Sequence, residues 1–134
     1  FRDAKEEYTL RINNFLMQYI KNNIYDTNKV NLIVDIARHS KNDIFEEILL
    51  YYISLNQNVE QFKMISWRGN FTTSIGDGNL GDIEAADWRK ILSIVDKSNI
   101  GFKLIPIKRY LNERIESCLE YAESERKRKF LGYF

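Results

Sequence analysis

The chain has 134 residues, with eight Phe, eight Tyr, two Trp, one Cys and a formal net charge of +1 at pH 7. That length suits one domain able to bury a core without disulfides or a metal, and the near-zero net charge excludes a global polyelectrolyte partner though not a local basic patch. One cysteine, Cys118, cannot form an internal disulfide, and the sequence holds no apolar run near the ~20 residues of a membrane span.

The chain-order reading is all-α. Residues from about Asp3 to Ile24 predict a first helix, with Tyr8, Ile12, Phe15 and Tyr19 as the buried stripe and Leu16 and Ile20 widening it. Asp3 and Glu6 have the spacing of a capping box. After the turn at Tyr25–Asn28, a second helix presents Val30, Ile33, Val34 and Ala37 on one face. Asp43 is the expected cap of a third helix, with Glu46 three residues later. Its apolar residues (Ile44, Phe45, Ile48, Leu49, Tyr52 among them) cover most of its circumference, so it is expected to be central. Asn58 with Gln61 opens a short fourth helix carrying Val59, Phe62 and Ile65.

A glycine-rich loop, residues 67–81, then interrupts the helical pattern. It contains Gly69, Gly76, Gly78 and Gly81, four of the six glycines. Asp82 is expected to cap a fifth helix with Trp88, Ile91, Leu92 and Val95 on its stripe, ending near Gly101. Pro106 suits the first turn of a sixth helix, which carries Ile107, Tyr110, Leu111, Ile115, Cys118, Leu119 and Ala122. The expectation is one domain of about six helices in antiparallel pairs, either HEAT-like or an irregular bundle. The segment Phe71–Ile75 is the one short stretch with strand character.

Chemistry-bearing motifs are few. Gly76, Gly78 and Gly81 match G-x-G-x-x-G before a helix, but no strand–helix–strand unit surrounds them, and Asp77 and Asp82 would set negative charge beside a phosphate. Asp77, Asn79, Asp82 and Glu84 are hard oxygen donors, yet their spacing fails the EF-hand pattern; a ligand- or metal-binding loop is therefore the third reading. His39 and Cys118, each the only one of its kind, cannot together complete a usual zinc site, and Cys118 sits on an apolar stripe. Glu46, Glu47, Glu84 and Asp87 are expected on solvated faces. No catalytic residue, metal ligand or cofactor is assigned.

Arg126, Lys127, Arg128 and Lys129 form the one basic run, followed by Phe130, Tyr133 and Phe134. Phosphate contact by this run is the second reading, against the plain alternative of cations at a helix C-terminus. The first reading places a protein-partner surface on Trp67, Arg68, Phe71, Asp77 and Asn79, because Trp, Tyr and Arg dominate protein interfaces. Its competitor has Trp67 plugging the helices while Arg68 pairs with a carboxylate.

Residues 43–50, 59–65, Trp67–Gly69, Asp82–Ile83 and Trp88 together resemble the degenerate helical repeats at the C-terminal ends of STAND-type ATPases and related bacterial antiphage defence proteins. The Arg- and Glu-rich stretch 114–126 is similar to the helix that closes them. The resemblance implies a cytoplasmic, non-enzymatic recognition or scaffold segment of a larger protein, with nucleotide hydrolysis elsewhere; no ATPase motif is carried over. Oligomeric state is left open.

Overall fold

The computed structural model describes residues 3–40, 43–69 and 79–132. Among these residues the fold is all-α: α1 (Ala4–Asn22), α2 (Thr27–Arg38), α3 (Ile44–Leu55), α4 (Val59–Met64), α5 (Leu80–Asp96) and α6 (Ile105–Phe130), with one 3-10 turn at Gly101–Leu104. The packing divides into two compact units, residues 1–66 and 67–134. The segment 71–75, with its strand character, lies outside the described residues.

In the first unit, local capping follows the sequence closely. Asp3 Oδ1 accepts from the Glu6 backbone N–H at 2.8 Å, Asp26 Oδ1 from that of Lys29 at 3.2 Å, and Asn58 Oδ1 from that of Gln61 at 2.9 Å. Each satisfies an amide that the helix itself leaves without a partner. Asp43 occupies the cap position of α3, but its side chain makes no capping hydrogen bond. Helix α3 packs against both α1 and α2. It buries Ile44, Phe45, Ile48, Leu49, Tyr52 and Ile53, as a central helix should. The Tyr25 hydroxyl at the start of α2 donates to the Leu55 carbonyl at the end of α3, which sets those two helices antiparallel.

The strap after α4 is clasped by α2. Asn31 Nδ2 donates to the Met64 carbonyl at 3.2 Å, and Asn31 Oδ1 accepts from the Ser66 N–H at 2.7 Å. Arg38 donates to the Ser66 carbonyl as well. One asparagine thus serves a donor and an acceptor of a segment that has no helical partners of its own.

Helix α1 departs from the expectation. Of its stripe, only Leu16 and Ile20 are fully buried. Tyr8 and Phe15 are 67% and 65% exposed and Ile12 is 39% exposed. The helical period holds, but the buried axis is rotated toward Leu16 and Ile20. At 19 residues α1 is also longer than the 12-residue α2 and α3. At 1.5 Å per residue the difference is about 10 Å of helix.

In the second unit, α5 and α6 form an antiparallel hairpin. Asp82 meets Arg126, Glu84 meets Cys118, Trp88 meets Tyr110 and Asp96 meets Lys108, so rising numbers on one helix face falling numbers on the other. Ala85, Ile115 and Cys118 form the seam, with Trp88, Leu92 and Leu119 packed against it. Trp88 and Tyr110 meet edge to face at 5.9 Å, a favoured aromatic geometry. Pro106 stands in the first turn of α6 as expected. Gly101 has φ 71°, the left-handed conformation that glycine adopts without cost from a Cβ.

Tyr52 carries a consequence for pH. Burial, with the neighbouring Tyr25 adding to it, pushes its phenol from 10.0 up to about 12. A raised folded-state value means that its share of the stability is complete below pH 10 and is lost as pH rises toward 12. Urea midpoints measured across pH 9–12 should therefore fall more for the wild type than for Tyr52→Phe; parallel curves would contradict this role.

Candidate functional site

The open end of the α5–α6 hairpin gathers most of the polar side chains that the sequence singles out. Helix α5 starts at Leu80 with Asn79 as its cap, three residues before the expected Asp82 cap. Asn79 does two things. Its Oδ1 accepts from the Gly81 N–H at 2.8 Å, and its Nδ2 donates to the Ala122 carbonyl of α6 at 3.1 Å. The cap therefore also ties α5 to the neighbouring helix. Asp82, displaced from the cap, sits in the first turn, where its charge favours the positive helix end. Its carboxylate meets Arg126 of α6 at 2.7 Å.

Gly81 explains why the two helices come so close. A Cβ at this position would lie 2.4 Å from the Cys118 carbonyl oxygen and 2.8 Å from the Ala122 nitrogen. Both are backbone atoms and cannot rotate away. The last glycine of the G-x-G-x-x-G match is accordingly a helix-packing residue, buried in the first turn of α5. Its spacing from Gly76 and Gly78 gave no signal of this; a small residue opposite Cys118 and Ala122 on an adjacent helix is a tertiary fact.

Arg68 lies between two carboxylates of α5. Its guanidinium is 3.7 Å from Glu84 and 3.6 Å from Asp87. Glu84 and Arg68 are each about one-third exposed, whereas Asp87 is 0% exposed. The expectation of a solvated Asp87 is corrected here. A signal was present: Asp87, Ile91 and Ile94 stand at i, i+4 and i+7, one helical stripe, and all three are buried. A carboxylate on such a stripe calls for a cationic partner, since a buried unpaired charge is costly.

Trp67 is 1% exposed and takes the packing role rather than that of a displayed contact. Phe71 and Asp77, the other proposed partner contacts, lie outside the described residues. Of the five partner-contact positions, the structure describes Trp67, Arg68 and Asn79: Trp67 is buried, and Arg68 and Asn79 have partners on α5 and α6.

Cys118 points its sulfur at Glu84, Sγ to Oε2 3.8 Å. Burial first and the Glu84 charge second push the thiol above its ordinary 9.0, with Arg114 and Arg68 pulling the other way. A thiol shifted upward stays protonated near neutral pH and is a poor nucleophile. His39 is exposed and its Nδ1 lies 2.7 Å from the Asp35 carbonyl oxygen one turn back on α2. Among the described residues, no three His, Cys, Asp or Glu side chains are grouped so as to hold a metal ion.

The basic run at the end of α6 is accompanied by acid. Arg126 meets Asp82, Lys127 lies 3.5 Å from Glu123, and Arg128 lies 3.6 Å from Glu125. Phe130 beside them is 90% exposed. No described helix is long and apolar enough to cross a membrane. Comparison with protein-family models, with curated proteins and with solved structures finds no match.

Two stability effects follow from this end of the hairpin. Gly81→Ala should cost about 1–3 kcal/mol, the usual penalty of overpacking against atoms that cannot move aside. Guanidinium denaturation would measure it, and an unchanged midpoint would refute the close approach. Arg68→Ala should destabilise by about 3 kcal/mol, because it strips a cation from a buried carboxylate. Arg68→Lys, which keeps the charge, should recover part of that loss in the same assay.

Proposed function

We propose that this chain is a non-enzymatic helical recognition or scaffold module that binds a protein partner. The observation that supports it is that Arg68 and Asn79, two of the singled-out contact residues, are both held by the α5–α6 hairpin. On one side Arg68 is held by Glu84 and Asp87; on the other Asn79 is held by the Gly81 amide and the Ala122 carbonyl. Both anchors fall within the first two and a half turns of α5. Polar groups already held in place by their own fold lose little ordering entropy on association.

The surrounding surface suits a polar protein face. Asp82, Glu84, Arg68 and Arg126 all keep partial exposure there, with both signs of charge interleaved. The same interleaving lends less support to nucleic acid, where uncompensated cations must face phosphates. Three of the four residues of the basic run have a carboxylate beside them. A catalytic reading has little to stand on: the thiol is shifted away from reactivity. In line with the sequence resemblance, the module would belong to the C-terminal part of a larger cytoplasmic bacterial defence or signalling protein.

The test changes two of the singled-out contact residues and checks the fold by thermal melting. The purified chain and a Phe71→Ala/Asp77→Ala double variant would be used to capture proteins from a lysate of phage-infected bacteria. The reading expects a protein retained by the wild type and lost by a variant with unchanged thermal melting, then saturable binding once that protein is purified. Equal capture by both chains would remove residues 70–78 from the account.

A further inference from the structure

We propose that the end of the hairpin where α5 turns into α6 docks onto an anionic lipid surface. This contact goes beyond the protein-recognition reading and does not rest on it. Residues 89–109 run from the last two turns of α5 through the Gly101–Leu104 turn into α6. They carry six cations, Arg89, Lys90, Lys97, Lys103, Lys108 and Arg109, against one acid, Asp96. All six are exposed except half-buried Lys108. The whole chain has a net charge of only +1, so outside this stretch it is net acidic.

Helix stability does not account for this charge. Lys97 stands at the C-cap of α5, where a cation suits the helix dipole. Lys103, Lys108 and Arg109 instead gather at the N-terminal end of α6, whose first turn holds no acid. Cations there oppose the dipole. Asp96 meets one of them, Lys108, at 3.2 Å.

The same end presents apolar side chains. Phe102 is 77% exposed and Ile105 50% exposed, whereas Leu104 and Ile107 are fully buried. Leu104 and Ile107 thus pin the turn from within, and Gly101, at φ 71°, lets the chain reverse there. An aromatic and an aliphatic side chain set among lysines match the two parts of a lipid interface, the acyl boundary and the anionic headgroups. Nucleic acid is the poorer fit. Ile105 has no ring on which a base could stack, and binding of single strands relies on such rings.

Two apolar side chains insert little area, so charge carries most of the binding. Each Lys or Arg close to an anionic membrane strengthens partitioning about fivefold. The contact is therefore reversible and weakens as salt screens the surface.

Cosedimentation of the full chain with lipid vesicles tests the proposal. The chain should bind vesicles of phosphatidylcholine containing about 30% phosphatidylserine, and not vesicles of phosphatidylcholine alone. Binding should fall steeply as salt rises from about 50 to 500 mM. Lys103→Glu combined with Arg109→Glu should weaken it roughly twenty-fivefold or more, and Phe102→Ser about fivefold. Neither change should alter the circular dichroism spectrum, since all three side chains are exposed. Lys127→Glu with Lys129→Glu, in the basic run at the other end of α6, should leave binding as it is. No binding, or equal binding to neutral vesicles, would overturn the proposal. So would an equal loss from the Lys127/Lys129 variant, which would move the contact to that run. Retention of a single-stranded RNA oligonucleotide without vesicle binding would overturn the lipid assignment and give this end to nucleic acid.

Discussion

The second unit depends on the backbone approach between α5 and α6 at Gly81. Only hydrogen fits where a side chain would strike the Cys118 carbonyl and the Ala122 amide nitrogen. Close approach brings the two helix backbones near enough for Asn79 to cap α5 and reach across to Ala122 with the same amide group. It also brings Asp82 to Arg126 and Glu84 to Cys118. Packing, capping and electrostatics at this end are one arrangement, because each distance presupposes the others. A side chain at residue 81 would push the helices apart and loosen all of them together.

Asp87 extends the same logic. A carboxylate with no exposure contributes nothing to stability by itself; its desolvation must be offset by cations and hydrogen-bond donors. Arg68 supplies one such cation, 3.6 Å from the carboxylate. Trp67 is buried, while Arg68 keeps about a third of its side chain exposed beside the pair. The upward shift of the Cys118 thiol belongs to the same place, since burial and the Glu84 charge both disfavour its ionised form.

Caps and periods in this chain are local, and local physics made them readable. Asp3, Asn58 and Pro106 act within one turn of where they stand, so their spacing alone announces three helix starts; Asp26, read as part of a turn, also proves to be a cap. Helix α3 was legible as central because its apolar residues exceed what one face can hold. Misreadings occurred where the deciding partner is distant. Asp82 looks like a cap until Asn79, tied to Ala122 forty-three residues on, takes the position. Asp87 looks solvated if its carboxylate is weighed alone and buried if its stripe is weighed. Tyr8, Ile12 and Phe15 look like core because periodicity reports a face, not whether anything covers it.

By itself, the sequence determined that this protein is helical, roughly where each helix begins, and that its single thiol and single imidazole cannot make a conventional zinc site. Those properties follow from spacing along the chain, which folding does not change. Tertiary structure alone decided which apolar stripe is covered, which acid is buried beside an arginine and which glycine lets two helices touch. Each of these turns on residues brought together from far apart, and a linear pattern carries no distance across space.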